Sequence, residues 1–229
     1  MTETVGVSGG SPPGVAAAVR GLSREGLAQR LARDLKDGYV VNLGVGIPLL
    51  IPRFIPPDAE VILHAENGVL GLGPTAPPGR EDPDLTDAGK QPATLISGAA
   101  IVDSAMSFAI VRGGHLDVTV LGALQVSAEG DLANWYVPGK NPAVGGAMDL
   151  AIGAKRLWVA MEHVTKEGAS RIVRSCSYPL TAKGVVQRVY TNLAVLDVTP
   201  RGFVVRDMVP GLTFEALQAR STATLHREA

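Results

Sequence analysis

The chain has 229 residues, with 21 basic against 22 acidic side chains and a net charge of −1. Apolar residues make up 46 % and charged residues 19 %, and the mean hydropathy is +0.19; this excludes a disordered chain, which needs low hydrophobicity and high net charge. No basic surplus exists to neutralise phosphates, so nucleic acid is not expected as a partner, and no run approaches the ~18 apolar residues of a membrane span, so no membrane is expected either.

In chain order, residues 1–22 open with an acid at Glu3 and carry a stretch rich in glycine, proline and serine over 8–14. Their apolar stretch over 15–19 is too short for a secretory h-region, so they are expected to form a disordered leader. The folded domain is expected over 23–229. Its first helix is expected over 23–36: Ser23 suits the N-cap, Glu25 lies in the first turn, Leu27, Leu31 and Leu35 form one apolar stripe, and Gly38 suits the stop. Strand patterns follow at 39–43, 61–64, 93–96, 116–120, 157–161, 185–198 and 203–209. A helix over 104–111 starts at Asp103 and stops at Gly113-Gly114, and another over 213–220 follows Pro210-Gly211. Thr199-Pro200-Arg201-Gly202 reads as a hairpin turn between the last two strands. Strands alternating with helices, several apolar throughout, predict an α/β fold: an open, mostly parallel mixed sheet flanked by helices. Part of the apolar content is expected to be buried against another chain. The single cysteine, Cys176, excludes an internal disulfide and reads as a small packed side chain; the default compartment is the reducing cytoplasm.

Glycines cluster at Gly44-Val45-Gly46, at Gly68, Gly71 and Gly73, at Gly113-Gly114 and at Gly145-Gly146. Several follow apolar strands, where an open α/β sheet places ligand-binding loops; turn punctuation is the alternative. Gly44-Val45-Gly46 lacks the third glycine of a dinucleotide fingerprint, and no Walker loop, Gly-x-Ser-x-Gly elbow or His-Glu-x-x-His helix occurs. His64, His115, His163 and His226 are scattered and read as structural or surface residues, and no metal site is expected. Glu66 leaves an apolar strand and enters a glycine-rich loop. By residue type it is either a strand-end carboxylate capping a turn or a group aimed at whatever the loop surrounds. Gly145-Gly146, before an apolar helix start, forms either a tight turn or a set of backbone N–H groups able to receive an oxyanion.

The ordered runs VNLGVGIP (41–48), ENGVLGLGP (66–74), DAGKQ (87–91), IVRGGHLD (110–117), DLANW (131–135), GGAMDL (145–150) and YPLT (178–181) together resemble the B subunit of the two-subunit 3-oxoacid CoA-transferases. The resemblance runs from Ser23 to the C-terminus and is strongest to the 3-oxoadipate CoA-transferase members. It implies the open α/β fold of that family, shared with sugar-phosphate isomerases. It implies Glu66 as nucleophile, Gly146 as an oxyanion donor through its backbone N–H, and substrate or CoA-binding loops at Gly44, Gly46, Asn67, Gly68, Lys140 and Gly145. The partner implied is the CoA-transferase A subunit, which carries much of the CoA surface, in an A2B2 assembly. Succinyl-CoA and a 3-oxoacid are the implied substrates, 3-oxoadipate first and acetoacetate second, with a role in aromatic-compound breakdown by the β-ketoadipate pathway. No cofactor is implied beyond the coenzyme A esters themselves. Ala65, Val144 and Asn192 depart from residues common in relatives, which touches the choice of acceptor more than the reaction class. An acceptor with two carboxylates calls for a cation at its far end, for which Lys90, Arg112 and Lys140 are the candidates. A reading from another class is a non-catalytic ligand-sensing module of the same fold; the retained Glu66 loop argues against it.

Overall fold

The computed structural model describes residues 19–137, 139 and 141–228. The expected leader lies outside the described residues up to position 18, as does Lys140; Leu22 donates its N–H to the Asn192 carbonyl at 2.8 Å. Helix α1 (Arg24–Ala32) starts as expected, with Ser23 Oγ accepting the Gly26 N–H at 3.1 Å. It ends short of residue 36 because the amides of Asp34 and Leu35 bond to carbonyls three residues back, which tightens the last turn. Strand β1 (Val40–Leu43) leads into a 3₁₀ helix (Ile47–Phe54). Pro48 sits in its first turn, where no amide is needed, and Pro52 lacks the N–H group an α-helix would use there.

Strand β2 (Ile62–Ala65) forms an antiparallel hairpin with β3 (Val69–Thr75), and β4 (Ala93–Ile101) pairs with β3 in turn. This corrects the expected glycine-rich loop after Glu66. Gly71 and Gly73 lie within β3, where an added Cβ would stand 3.0 Å from Ala99 and 2.6 Å from Thr94 Oγ1 respectively; the absent side chains let the two strands close up. Helix α2 (Ser104–Arg112) is capped by Asp103, whose Oδ1 accepts the Met106 N–H at 2.8 Å. There follow β5 (Val118–Leu121), β6 (Gln125–Ser127), β7 (Leu132–Ala133), α3 (Ala147–Gly153), β8 (Leu157–Met161) and β9 (Ile172–Val173).

The strand expected over 185–198 is two antiparallel strands, β10 (Val186–Thr191) and β11 (Ala194–Thr199). The chain reverses between them because Thr191 Oγ1 accepts the amides of Leu193 and Ala194. Strand β12 (Gly202–Met208) closes the expected hairpin with β11, pairing Gly202 with Thr199. The short helix α4 (Phe214–Gln218), capped by Thr213, and strand β13 (Leu225–Arg227) complete the chain.

Ten strands form one sheet in the order β13-β12-β11-β10-β8-β5-β1-β2-β3-β4, and β7-β6-β9 form a second, smaller one. The middle of the large sheet, β10-β8-β5-β1-β2, is parallel. Side chains alternate between its faces. Trp158 and Ala160 of β8 join Val41, Val120, Leu27, Leu31 and Ile51 in one core. Leu157, Val159 and Met161 of the same strand join Val111, Leu150, Phe203 and Leu217 in the other. Each fully buried side chain of this size contributes roughly 1.5–3 kcal/mol. Among the described residues no helix is long and apolar enough to cross a membrane.

Candidate active site

The connection leaving β1 enters the 3₁₀ helix, which packs into the core of one face; the one leaving β5 reaches α3, which packs into the other. β1 and β5 are parallel neighbours, so a crevice opens beyond their C-terminal ends, where open α/β sheets bind ligands. A cavity of about 460 Å³ occupies it, walled by residues 42–45 at and after the end of β1, residues 121–124 at and after the end of β5, and residues 143–147 before and at the start of α3. Glu66 is the single charged side chain among its described lining residues. A larger groove of about 610 Å³ lies elsewhere, lined by Arg30, Arg188, Arg206 and Asp207. Several of its charges are taken up in pairs, Arg30 with Asp207 and Arg188 and Arg206 with Asp197.

Glu66, Asn67 and Gly68 form the three-residue turn of the β2–β3 hairpin, closed by the Gly68 N–H on the Ala65 carbonyl at 3.0 Å. Gly68 has φ 116°, and a Cβ there would overlap the Val102 carbonyl oxygen, so only glycine fits. This turn lifts Glu66 off the sheet edge. Its half-buried carboxylate has lost part of its water, which raises its pKa above the usual carboxylate range. In its ionised form a carboxylate of raised pKa is the stronger nucleophile. Close beside the carboxylate stands Gly146, at φ −82° and ψ 5°. Its backbone is ordinary; it must be glycine for space, since a Cβ would lie 2.7 Å from Glu66 Oε2 and 2.7 Å from Phe108 Cζ.

The structure thus brings Glu66, Gly44, Gly145 and Gly146 to one cavity, although 80 residues separate Glu66 from Gly146 in sequence. Gly44 packs against Leu121 at the cavity wall. Asn67, Gly46 and Gly68 are not part of that wall; Asn67 is exposed and its Nδ2 donates to the Thr86 carbonyl at 3.0 Å. That bond ties the Glu66 turn to the loop over 86–92, whose Ala88 also lines the cavity. Lys90 lies in this loop with φ 62°, the one non-glycine residue of positive φ among those described. Arg112 is taken up by Asp149 at 2.8 Å.

Sequence reasoning passed over Asn134, which lines the cavity, Phe108, which stands against Gly146, and Ser107, and it read His64 as structural or surface. Asn134 accepts from the Thr181 hydroxyl at 2.6 Å and donates to the Gly122 carbonyl at 3.1 Å, which pins the wall. His64 is 2 % exposed, and burial lowers its pKa to about 4. One signal for Ser107 was available: a serine four residues after the Asp103 cap and four before Val111 falls on the buried stripe of α2. Cys176 is a half-buried thiol whose pKa burial pushes up to about 11, which leaves it inert at neutral pH.

A half-buried carboxylate in a crevice walled in part by glycine backbone is equipment that acyl transfer can use. The coenzyme A transferase model matches residues 24–220, and the chain belongs to that family. It is similar over nearly its whole length to chains named as B subunits. The B subunit of the 3-oxoadipate CoA-transferase of Pseudomonas putida is 52 % identical over 206 residues, which cover 89 % of this chain and 96 % of the relative. The B subunit of a probable succinyl-CoA:3-ketoacid coenzyme A transferase of Bacillus subtilis is 46 % identical over 202 residues, 88 % of this chain and 94 % of the relative. Among solved structures, an acyl-CoA transferase of Escherichia coli O157:H7 shares the fold at a TM-score of 0.72 and 21 % identity, over 90 % of this chain; the chain spans only 42 % of that larger one.

Proposed function

We propose that the chain is the B subunit of a transferase that moves CoA from succinyl-CoA to a 3-oxoacid, 3-oxoadipate, by ping-pong covalent catalysis through Glu66. The observation that carries this reading is the Glu66 carboxylate on its hairpin turn, set close beside Gly146 in a cavity whose described lining holds no other charge. The Glu66 oxygen attacks the thioester carbonyl, and CoA thiolate leaves a mixed anhydride. The thiolate then attacks the Glu66 carbonyl of that anhydride, releasing succinate and forming a glutamyl-CoA thioester. The acceptor carboxylate attacks this thioester, and the thiolate returns to the acyl carbon of the second anhydride, which frees Glu66. A serine would form an ester too stable to release its acyl group readily; the anhydride is opened by thiolate, so one hard exchange becomes easier steps. Each tetrahedral oxyanion calls for a donor, and the Gly146 N–H is assigned that role; one such donor is typically worth ~3 kcal/mol. No metal or redox cofactor enters the scheme.

The acceptor assignment rests on the relatives at 52 % and 49 % identity that are named as B subunits of 3-oxoadipate CoA-transferase. Acetoacetate is the second reading, favoured by the relative at 46 % named for 3-ketoacids. With Arg112 held by Asp149, Lys90 on the loop beside Glu66 is the described candidate for the far carboxylate of the acceptor. The assembly proposed is a cytoplasmic A2B2 heterotetramer. In support of a partner chain, Ile101 of β4, Met106 of α2 and Ile152 of α3 stand exposed at 68 %, 53 % and 69 %.

The test combines the chain with its partner chain, adds succinyl-CoA, and traps the intermediate with hydroxylamine. A hydroxamate at Glu66, found by peptide mass spectrometry, is expected. Exchange that persists in Glu66→Gln overturns the mechanism, and acetoacetate turning over far faster than 3-oxoadipate overturns the acceptor.

A further inference from the structure

Behind Glu66 a relay of buried polar side chains crosses three elements. Asn42 of β1 places Nδ2 3.0 Å from His64 Nδ1 and also donates to the His64 carbonyl at 3.2 Å. His64 Nε2 lies 3.0 Å from Ser107 Oγ, and Ser107 Oγ donates to the Glu66 carbonyl at 2.9 Å. Asn42, His64 and Ser107 are 1 %, 2 % and 0 % exposed.

The direction of the protons follows from the donor inventory. An amide nitrogen only donates, so His64 Nδ1 is a bare acceptor and Nε2 carries the hydrogen. That hydrogen goes to Ser107 Oγ, whose own hydrogen goes to Glu66. Reversing the Asn42 amide would set its oxygen against the His64 carbonyl. The orientation present instead leaves Asn42 Oδ1 buried without a partner. A native protein that tolerates such an orphan is holding the amide for another reason, and here that reason is the His64 lone pair.

From this we infer that Asn42, His64 and Ser107 form a positioning brace for the nucleophile, a reading that rests on Glu66 as the acylated residue. A turn residue has no ladder partner for its carbonyl. The Ser107 hydroxyl supplies one and fixes the Glu66–Asn67 peptide plane, which directs the Glu66 side chain toward Gly146. The main chain must hold still while its carboxylate passes through anhydride and thioester, and a misplacement near 1 Å is enough to lose about 100-fold in rate. The brace is also electrically neutral. An imidazolium would set Nδ1–H against the Asn42 amide hydrogens and place a cation close to the nucleophile, reducing its electron density. A neutral imidazole holds the turn without that penalty.

The experiment uses the complex with the partner chain and the variants Ser107→Ala, His64→Leu and His64→Gln, beside Glu66→Gln. The Gln side chain offers both a donor and an acceptor, so it is the conservative replacement. Ser107→Ala and His64→Leu are expected to lower kcat about 10- to 100-fold, with KM for succinyl-CoA within about twofold, because orientation rather than binding is lost. His64→Gln is expected to recover most of that loss. Rapid-quench mass spectrometry should show glutamyl-CoA forming more slowly in the first two and at near the original rate in the third. A folded Ser107→Ala protein with unchanged kcat overturns the brace while leaving the nucleophile intact. If Ser107→Ala yields no folded protein, the polar relay is a folding element and the proposal also falls. Exchange retained by Glu66→Gln overturns the underlying reading instead, so the two failures are distinct.

Discussion

His64 and His163 lie in different regions of the molecule and share their local chemistry. Both are buried, at 2 % and 0 % exposure, and burial lowers both pKa values to about 4, with Arg220 adding to the effect at His163. Each ring engages partners through both nitrogens: Asn42 and Ser107 at His64, Thr191 and Ser221 at His163. The difference lies one bond further out. Ser107 grips the carbonyl of Glu66. Thr191 and Ser221 stand within hydrogen-bond reach of the carbonyls of Ala194 and Leu217, at the β10–β11 reversal and the end of α4; with the ring neutral, one of the two hydroxyls donates to its carbonyl and the other to His163. Burial and pKa do not separate a site-supporting histidine from a structural one; the group held by its hydroxyl partner does.

Four experiments break or sharpen this contrast. The largest effect is expected from Glu66→Gln, which should reduce CoA exchange by at least about 1,000-fold. Its unfolding midpoint should stay level or rise, because a neutral amide escapes the desolvation that lifts the Glu66 pKa. A variant both inactive and strongly destabilised would mean that the carboxylate serves the fold. Next comes Gly146→Ala, whose methyl would stand 2.7 Å from Glu66 Oε2 and Phe108 Cζ; displacing that carboxylate should lower kcat by about 100-fold. Steady-state turnover at the original rate would show that the two residues do not work together.

The third is the direct comparison. His163→Leu strands the hydroxyls of Thr191 and Ser221 and should remove about 2–4 kcal/mol of stability in urea titrations, with kcat unchanged in the folded protein. His64→Leu should shift kcat. Equal kcat losses in both would erase the distinction drawn here. The smallest effect is a pH dependence. Both histidines are neutral in the fold, so between pH 6.5 and 4 the unfolded chain binds more protons and stability falls as pH falls. Each should account for about 2 kcal/mol lost between pH 7 and 5. Replacing either by Leu should flatten the unfolding free energy over that range by one histidine's share, a result that an unaltered slope contradicts.

Much of the frame was legible along the chain. Ser23, Asp103 and Thr213 cap helices through bonds to amides three residues on, and such caps depend on neighbours in sequence alone. The strands around β1, β5 and β8 are apolar runs bounded by turn residues. The ordered motifs point to Glu66 and Gly146. The less visible parts were those where a neighbour decides. Gly71 and Gly73 look like loop residues until β4 lies against them, and residues 185–198 look like one strand until Thr191 caps the reversal.

By itself the sequence determined the helix caps and the two-sided burial of the central strands, because periodicity, capping and turn chemistry act over a few residues, while the candidate nucleophile came from the family resemblance of the ordered motifs. Only the tertiary structure decided which groups meet. Ser107 reaches Glu66 across 41 positions and Gly146 faces it across 80. Nothing local records such encounters: they arise from the order in which β1, β2 and β5 pair, and from the two helices, α2 and α3, that this order lays over one face of the sheet.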